Sequence, residues 1–144
     1  MIKQKKFDFI IGIDSGTKTG IAVLDTATQT FRMIDTVAIH QALHIVGEMA
    51  EQYSLGVIVE DARKRKWFGK NSNAKMQGAG SIKRDCKIWE DFLKDYKIPY
   101  EMQEPKKGMT KMDKQAFAKL TGFDKQTSEH SRDAAMLVFG RRCL

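Results

Sequence analysis

Cysteine is scarce in this chain. Cys86 and Cys143 are the only two, with no CxxC pair and no spacing that would make a disulfide framework. That excludes a disulfide-built secreted scaffold and fits a reduced, intracellular, cytoplasmic setting. Proline is limited to two residues, and no repeat, low-complexity tract or linker interrupts the chain. Long apolar runs are missing as well. The opening "MIKQKKFDFIIGID" begins basic, but Asp8 and Asp14 break its short apolar stretch. It reads as neither a signal peptide nor a membrane span.

What is present is the composition of one folded domain spanning residues 1–144. Hydrophobic residues make up 42% of the chain, enough to build a core at this length. The charge is lopsided: 25 Lys+Arg against 18 Asp+Glu give a net charge of +7. Such an excess favours a polyanionic partner, nucleic acid before membrane.

Apolar periodicity sets out the elements. Phe7, Phe9, Ile11 and Ile13 alternate in a strand ending at Asp14, and Gly16 and Gly20 punctuate a turn into the strand "IAVLD". "FRMIDTVAI" reads as a third strand, so the first three form an antiparallel meander. Ile39, Leu43, Val46, Ala50 and Tyr53 then fall at helical spacing, and "LGVIVE" is a buried strand ending at Glu60. Residues 62–74 read as a loop. Ile82, Cys86, Trp89, Leu93 and Tyr96 mark the apolar stripe of a long helix, with Gly78 to Ser81 at its start. "IPYEM" is a fifth strand, Met112 to Leu120 a short helix closed by Gly122, and Ser128 the N-cap of a last helix. A meander followed by alternating helices and strands predicts an α/β fold. It has a five-stranded mixed sheet, the meander plus parallel strands, flanked by helices.

Asp14 and Glu60 both end candidate strands, where open α/β sheets place their sites. In "SEHSRDAAMLV", His130 and Asp133 are three apart and share a helix face, which Leu137 continues. Singly, each has a plain structural use: Asp14 as a turn former, Glu60 as a solvated strand end, His130 and Asp133 as groups at a helix terminus. Together they outline a carboxylate cluster. Such a cluster repels itself unless cations neutralise it, and Mg²⁺ takes carboxylate and phosphate oxygens. Two ions about 4 Å apart serve phosphodiester hydrolysis.

The stretches "IIGIDSGTKTGIAV", "VIVED" and "EHSRDAAML" resemble, in order, the motifs of RuvC-type Holliday-junction resolvases, nucleases of the RNase H-like fold. The resemblance implies an RNase H-like domain and a homodimeric endonuclease. Asp14, Glu60, His130 and Asp133 would bind two Mg²⁺ ions, for which Mn²⁺ substitutes. The substrate it implies is branched DNA, the four-way junction above all, and the length and loops look like those of a phage or prophage member. "DSGTKTG" also resembles the first phosphate loop of the actin and sugar-kinase superfamily. Those proteins need two such domains, and only one Asp–Gly turn of this kind is present here. The turn therefore reads as the mount of a metal carboxylate, with Gly16 and Gly20 permitting a tight turn and close approach of DNA.

Basic segments supply the rest. "RKRKWFGKN" sets Arg63, Lys64, Arg65, Lys66 and Lys70 beside Trp67 and Phe68. Basic groups contact phosphate, and exposed aromatics stack on unpaired bases. Lys106, Lys107, Lys111 and Lys114 form a second basic group. The resemblance gives Lys114 a place near the scissile phosphate and the first three a place on DNA. The function expected is a Mg²⁺-dependent endonuclease resolving junctions. Alternatives are a less selective nuclease of the same fold and a non-catalytic junction-binding module.

Overall fold

The computed structural model describes residues 6–64, 72–105 and 112–144, with side chains described throughout these except at 72–79. Five strands run in the order β1 (Phe9–Asp14), β2 (Lys18–Asp25), β3 (Thr30–Ala38), β4 (Leu55–Glu60) and β5 (Tyr100–Gln103). Helix α1 (Ile39–Gln52) joins β3 to β4, and α2 (Ser72–Asp95) lies between β4 and β5. Helices α3 (Lys114–Thr121) and α4 (Glu129–Val138) close the chain, and a short 3-10 turn at Ala62–Lys64 follows β4. In space the strands lie β3-β2-β1-β4-β5. The pairs β1–β2 and β2–β3 are antiparallel, and β4 is parallel to both β1 and β5.

Both faces of the central strands are buried. Odd-numbered Ile11, Ile13, Ile21, Val23, Val57 and Val59 pack with Ala42 and Val46 of α1 and with Trp89 and Leu93 of α2. Even-numbered Ile10, Leu24 and Ile58 pack with Leu137 and Val138 of α4. Ala22 meets Ala134, Ala135 and Phe117 on that same side. Side chains alternate faces along a strand, so helices on both sides leave no position for a polar residue in mid-strand. Each fully buried Ile or Leu contributes about 1.5–3 kcal/mol.

Several elements differ from the sequence reading. Helix α2 begins at Ser72, so Gly78 to Ser81 lie inside it and 72–74 are helical rather than loop. Two glycines cost a helix about 1 kcal/mol each relative to Ala. Burial of Cys86, Trp89 and Leu93 further along anchors the same helix. Tyr96 ends the expected apolar stripe yet is 61% exposed, and Tyr53 is 45% exposed with its ring edge-on to Phe9. Phe7 precedes β1, and its ring joins the cluster on the even-numbered face. Its carbonyl accepts a 2.5 Å bond from the Thr26 hydroxyl, which holds this stretch outside the strand's alternation. The last two helices follow the sequence closely. Asp113 caps α3 by accepting from the Ala116 N–H, and Gly122 closes it at φ 78°. Ser128 caps α4 in a reciprocal box with Ser131.

Candidate active site

One row of residues crosses the whole sheet near the ends of β1 and β4. Reading the register outward gives Thr36 on β3, Gly20 on β2, Asp14 on β1, Glu60 on β4 and Gln103 on β5. Register partners share a face, and this row lies on the face that carries α4. The adjoining row on that face includes Gly12, between Ala22 and Ile58.

The glycines explain how α4 comes so close. A Cβ on Gly12 would stand 2.0 Å from the Ala134 carbonyl oxygen, and one on Gly20 would stand 2.1 Å from that of His130. No side chain fits at either place. The two carbonyls are four residues apart, about 6 Å along a helix axis. The two glycine rows are two residues apart, about 6.6 Å along a strand. Helix and strand therefore match step for step, and α4 lies directly on the backbone of β1 and β2. Its N-terminus is fastened at the end of the row, where the Ser128 and Thr36 hydroxyls share a short hydrogen bond.

This seating delivers His130 to Asp14. The imidazole Nδ1 lies 3.1 Å from Asp14 Oδ2, with the carboxylate side chain 16% exposed and the imidazole 57% exposed. Glu60 is the register neighbour of Asp14 on the same face. Asp133 follows His130 by three residues on α4, between the buried Ser131 and Ala134 and one turn before Leu137. The structure thus places Asp14 and His130 in contact, with Glu60 on the neighbouring strand and Asp133 three residues further along α4. Among the described residues, no three His, Cys, Asp or Glu side chains close into a ready-made metal cage. The donor chemistry, carboxylate oxygens and one imidazole, suits a hard divalent cation that also keeps water and substrate oxygens.

No known sequence-family model matches the chain, and no curated protein sequence does either. Solved structures do. RuvC of T. thermophilus, in complex with a Holliday junction substrate, matches over 88% of this chain and 87% of that one, with a TM-score of 0.59 and 15% sequence identity. The chain has an RNase H-like fold.

On this fold the basic residues divide. Arg63 is turned inward. Its Nε and Nη2 donate to the two oxygens of Asp61 at 2.7 and 2.8 Å, and Nη2 also reaches Glu90 Oε2 on α2 at 3.3 Å. Asp61 is 2% exposed, and its backbone N–H donates to the Gln103 carbonyl at 2.7 Å. The hydrogen bonds from Arg63 hold the Asp61 carboxyl below the usual carboxylate range against the opposing effect of burial. The guanidinium is pushed further up in return. Lys64 donates to the Met102 carbonyl at 2.8 Å. Both residues expected on DNA therefore also brace the segment after Glu60 against α2 and β5. Arg65, Lys66, Trp67, Phe68 and Lys70 lie outside the described residues, as do Lys106, Lys107 and Lys111. Lys114 is exposed at the first position of α3, a helix docked through Phe117 beside Ala134 and Ala135.

Sequence reading missed three supports of the site. Gly20, expected to let DNA approach, admits the α4 backbone instead, and Gly12 does the same. The signal was available: Gly12 and Ala22 face Ala134, small residues opposed across two elements. Arg132 was also passed over. It donates to the Met112 carbonyl and to the carbonyl and hydroxyl of Thr127, each at 3.0 Å, tying the approach to α3 onto α4. Ser15, next to Asp14, lies 3.4 Å from the buried Cys86 sulfur, so α2 supports the turn from the other side. Among the described residues no helix is long and apolar enough to cross a membrane.

Proposed function

We propose that this protein is a structure-selective endonuclease, active with Mg²⁺ or Mn²⁺, that resolves Holliday junctions and other branched DNA. The observation that carries the reading is the row itself. Asp14 and Glu60 end parallel neighbouring strands in register, and His130 is held 3.1 Å from Asp14 by a helix lying on glycine. Asp14, Glu60, Asp133 and His130 would hold two ions. When bound, such ions neutralise the carboxylates and supply an activated water and charge stabilisation for phosphodiester hydrolysis. Without cations these acids repel DNA phosphate, which makes little sense for a module that only binds junctions.

The chain's own groups divide the remaining work. Asp14 orients the His130 ring through Nδ1, which leaves Nε2 as the nitrogen able to face a ligand or a proton. Lys114, Lys64, Lys66 and the other basic residues of the two loops attract and position phosphate. Trp67 and Phe68 stack on bases exposed at a branch point. Water oxygen bonds to phosphorus as the bond to the 3′ oxygen breaks, leaving a 5′-phosphate and a 3′-hydroxyl. A two-fold homodimer supplies two equivalent sites for the paired cuts that a junction requires. The match to a RuvC solved with a Holliday junction substrate supports this choice of DNA.

The test is incubation of labelled four-way junction, matching duplex and flap with Mg²⁺ or EDTA, using wild type and Asp14→Asn, Glu60→Gln and Asp133→Asn. Junction cleavage only with Mg²⁺, lost in each variant while junction binding persists, is the expected result. Equal cutting of duplex would reduce the protein to an unselective nuclease. Full activity in any variant would remove that residue from the site.

A further inference from the structure

The described surface opposite the α4 face carries two histidines and two glutamates along α1. We infer that His40 and His44 of α1 form a chelating site for one late first-row transition-metal ion, separate from the carboxylate row. The chain has three histidines. Two of them stand at i and i+4 on this helix, the spacing that brings side chains together one turn apart. The same spacing lets two imidazoles on a helix share one zinc ion. Both are exposed. Glu48, one turn further on, lies 3.5 Å from His44 Nε2. A carboxylate at that position orients an imidazole or adds an oxygen donor once a cation is present.

These residues border a cleft of about 380 Å³ between α1 and the C-terminal half of α2. Glu51 joins the histidines and Glu48 on its rim, and Phe92 and Tyr96 form the other wall. The charge of the segment favours a cation. From Met33 to Ala62 the sequence has no lysine or arginine but carries Asp35, Glu48, Glu51, Glu60 and Asp61, in a chain whose net charge is +7. The ion would bind two imidazoles, with Glu48 orienting His44 and water completing the coordination rather than a closed protein cage. Imidazole selects Cu²⁺, Ni²⁺ or Zn²⁺ over Mg²⁺, so this site and an oxygen-rich Mg²⁺ site would fill independently. Helix α1 packs through Ala42 and Val46 onto the odd-numbered face of the sheet, so the body of the sheet separates the two.

Cu²⁺ is the probe, because it binds imidazole tightly and reports its ligands by electron paramagnetic resonance. Full-length protein in excess Mg²⁺ should take up one Cu²⁺ with nitrogen hyperfine structure from two imidazoles. The signal should be unchanged in His130→Gln and lost in the His40→Gln/His44→Gln double variant. Glu48→Gln should weaken binding about tenfold, the usual loss when a supporting carboxylate is removed. Both histidines are exposed, and an unchanged circular dichroism spectrum would show that the double variant folds. A two-nitrogen signal that survives in the double variant, or disappears in His130→Gln, would overturn the proposal. Neither result bears on whether the carboxylate row cleaves DNA.

Discussion

The two faces of one sheet are built on different rules. The odd-numbered face is filled by large side chains: Ile11, Ile13, Ile21 and Val59 against Trp89 and Leu93. The even-numbered face, where α4 crosses, is cleared of side chains at Gly12 and Gly20 so that helix backbone meets strand backbone. A face packed by side chains tolerates small changes of shape, because rotamers and neighbours share the adjustment. Where backbone meets backbone nothing can yield. What that rigidity secures is position: a displaced α4 would carry His130 away from Asp14. One face supplies most of the large apolar burial, and the other fixes where the polar groups stand.

The largest contrast should come from adding one methyl group. Gly20→Ala puts a carbon where the His130 carbonyl stands, and the helix has to lift off. A loss of about 3 kcal/mol in urea-induced unfolding is expected, at the high end for overpacking. On the proposed function, cleavage falls with it. A loss below about 1 kcal/mol would show that α4 rides freely on the sheet and that the two faces do not differ in this way.

An intermediate effect belongs to the brace beyond Glu60. Arg63→Gln leaves the buried Asp61 carboxylate without its charged partner, at a cost of about 2 kcal/mol near neutral pH. The sign with pH follows from the lowered pKa of Asp61, which the hydrogen bonds from Arg63 cause. A carboxyl held low in the folded state contributes stability that is fully present above its unfolded value of about 3.9. That contribution disappears as pH falls through the folded value. The stability gap between wild type and Arg63→Gln should therefore close below about pH 4. A gap that stays constant down to pH 2 would mean that the pair contributes by packing alone.

The smallest effect should come from the other face. Trp89 is fully buried, and its indole Nε1 has no hydrogen-bond partner among the described residues. Trp89→Phe removes that N–H along with some volume. The relief offsets the smaller ring, and a loss under about 1.5 kcal/mol is expected. Calorimetry on this variant and on Gly20→Ala measures the difference between the faces directly. A Trp89→Phe loss larger than that of Gly20→Ala would invert the comparison.

Much of this architecture is legible from residue order alone. The β4 limits, the cap and start of α4 and the Gly122 stop of α3 follow from apolar runs and capping residues, because these are local effects of backbone and neighbouring side chain. The start of α2 was not legible, since long-range burial of Trp89 and Leu93 outweighs the local cost of glycine. The row Thr36–Gly20–Asp14–Glu60–Gln103 was legible only in part. Asp14 and Glu60 announce themselves as strand ends, but which residues stand beside them depends on strand register.

The sequence by itself determined the chemical types available for a site: carboxylates at two strand ends, a His and an Asp three apart on a helix, and a basic excess. Only the tertiary structure decided their company. It put His130 on Asp14, turned Arg63 inward to Asp61, and made Gly20 a seat for a helix rather than an opening for DNA. The physical reason is that side-chain chemistry is fixed residue by residue. Contact between residues more than a hundred positions apart is fixed by which backbones can approach, and here two missing side chains set that approach.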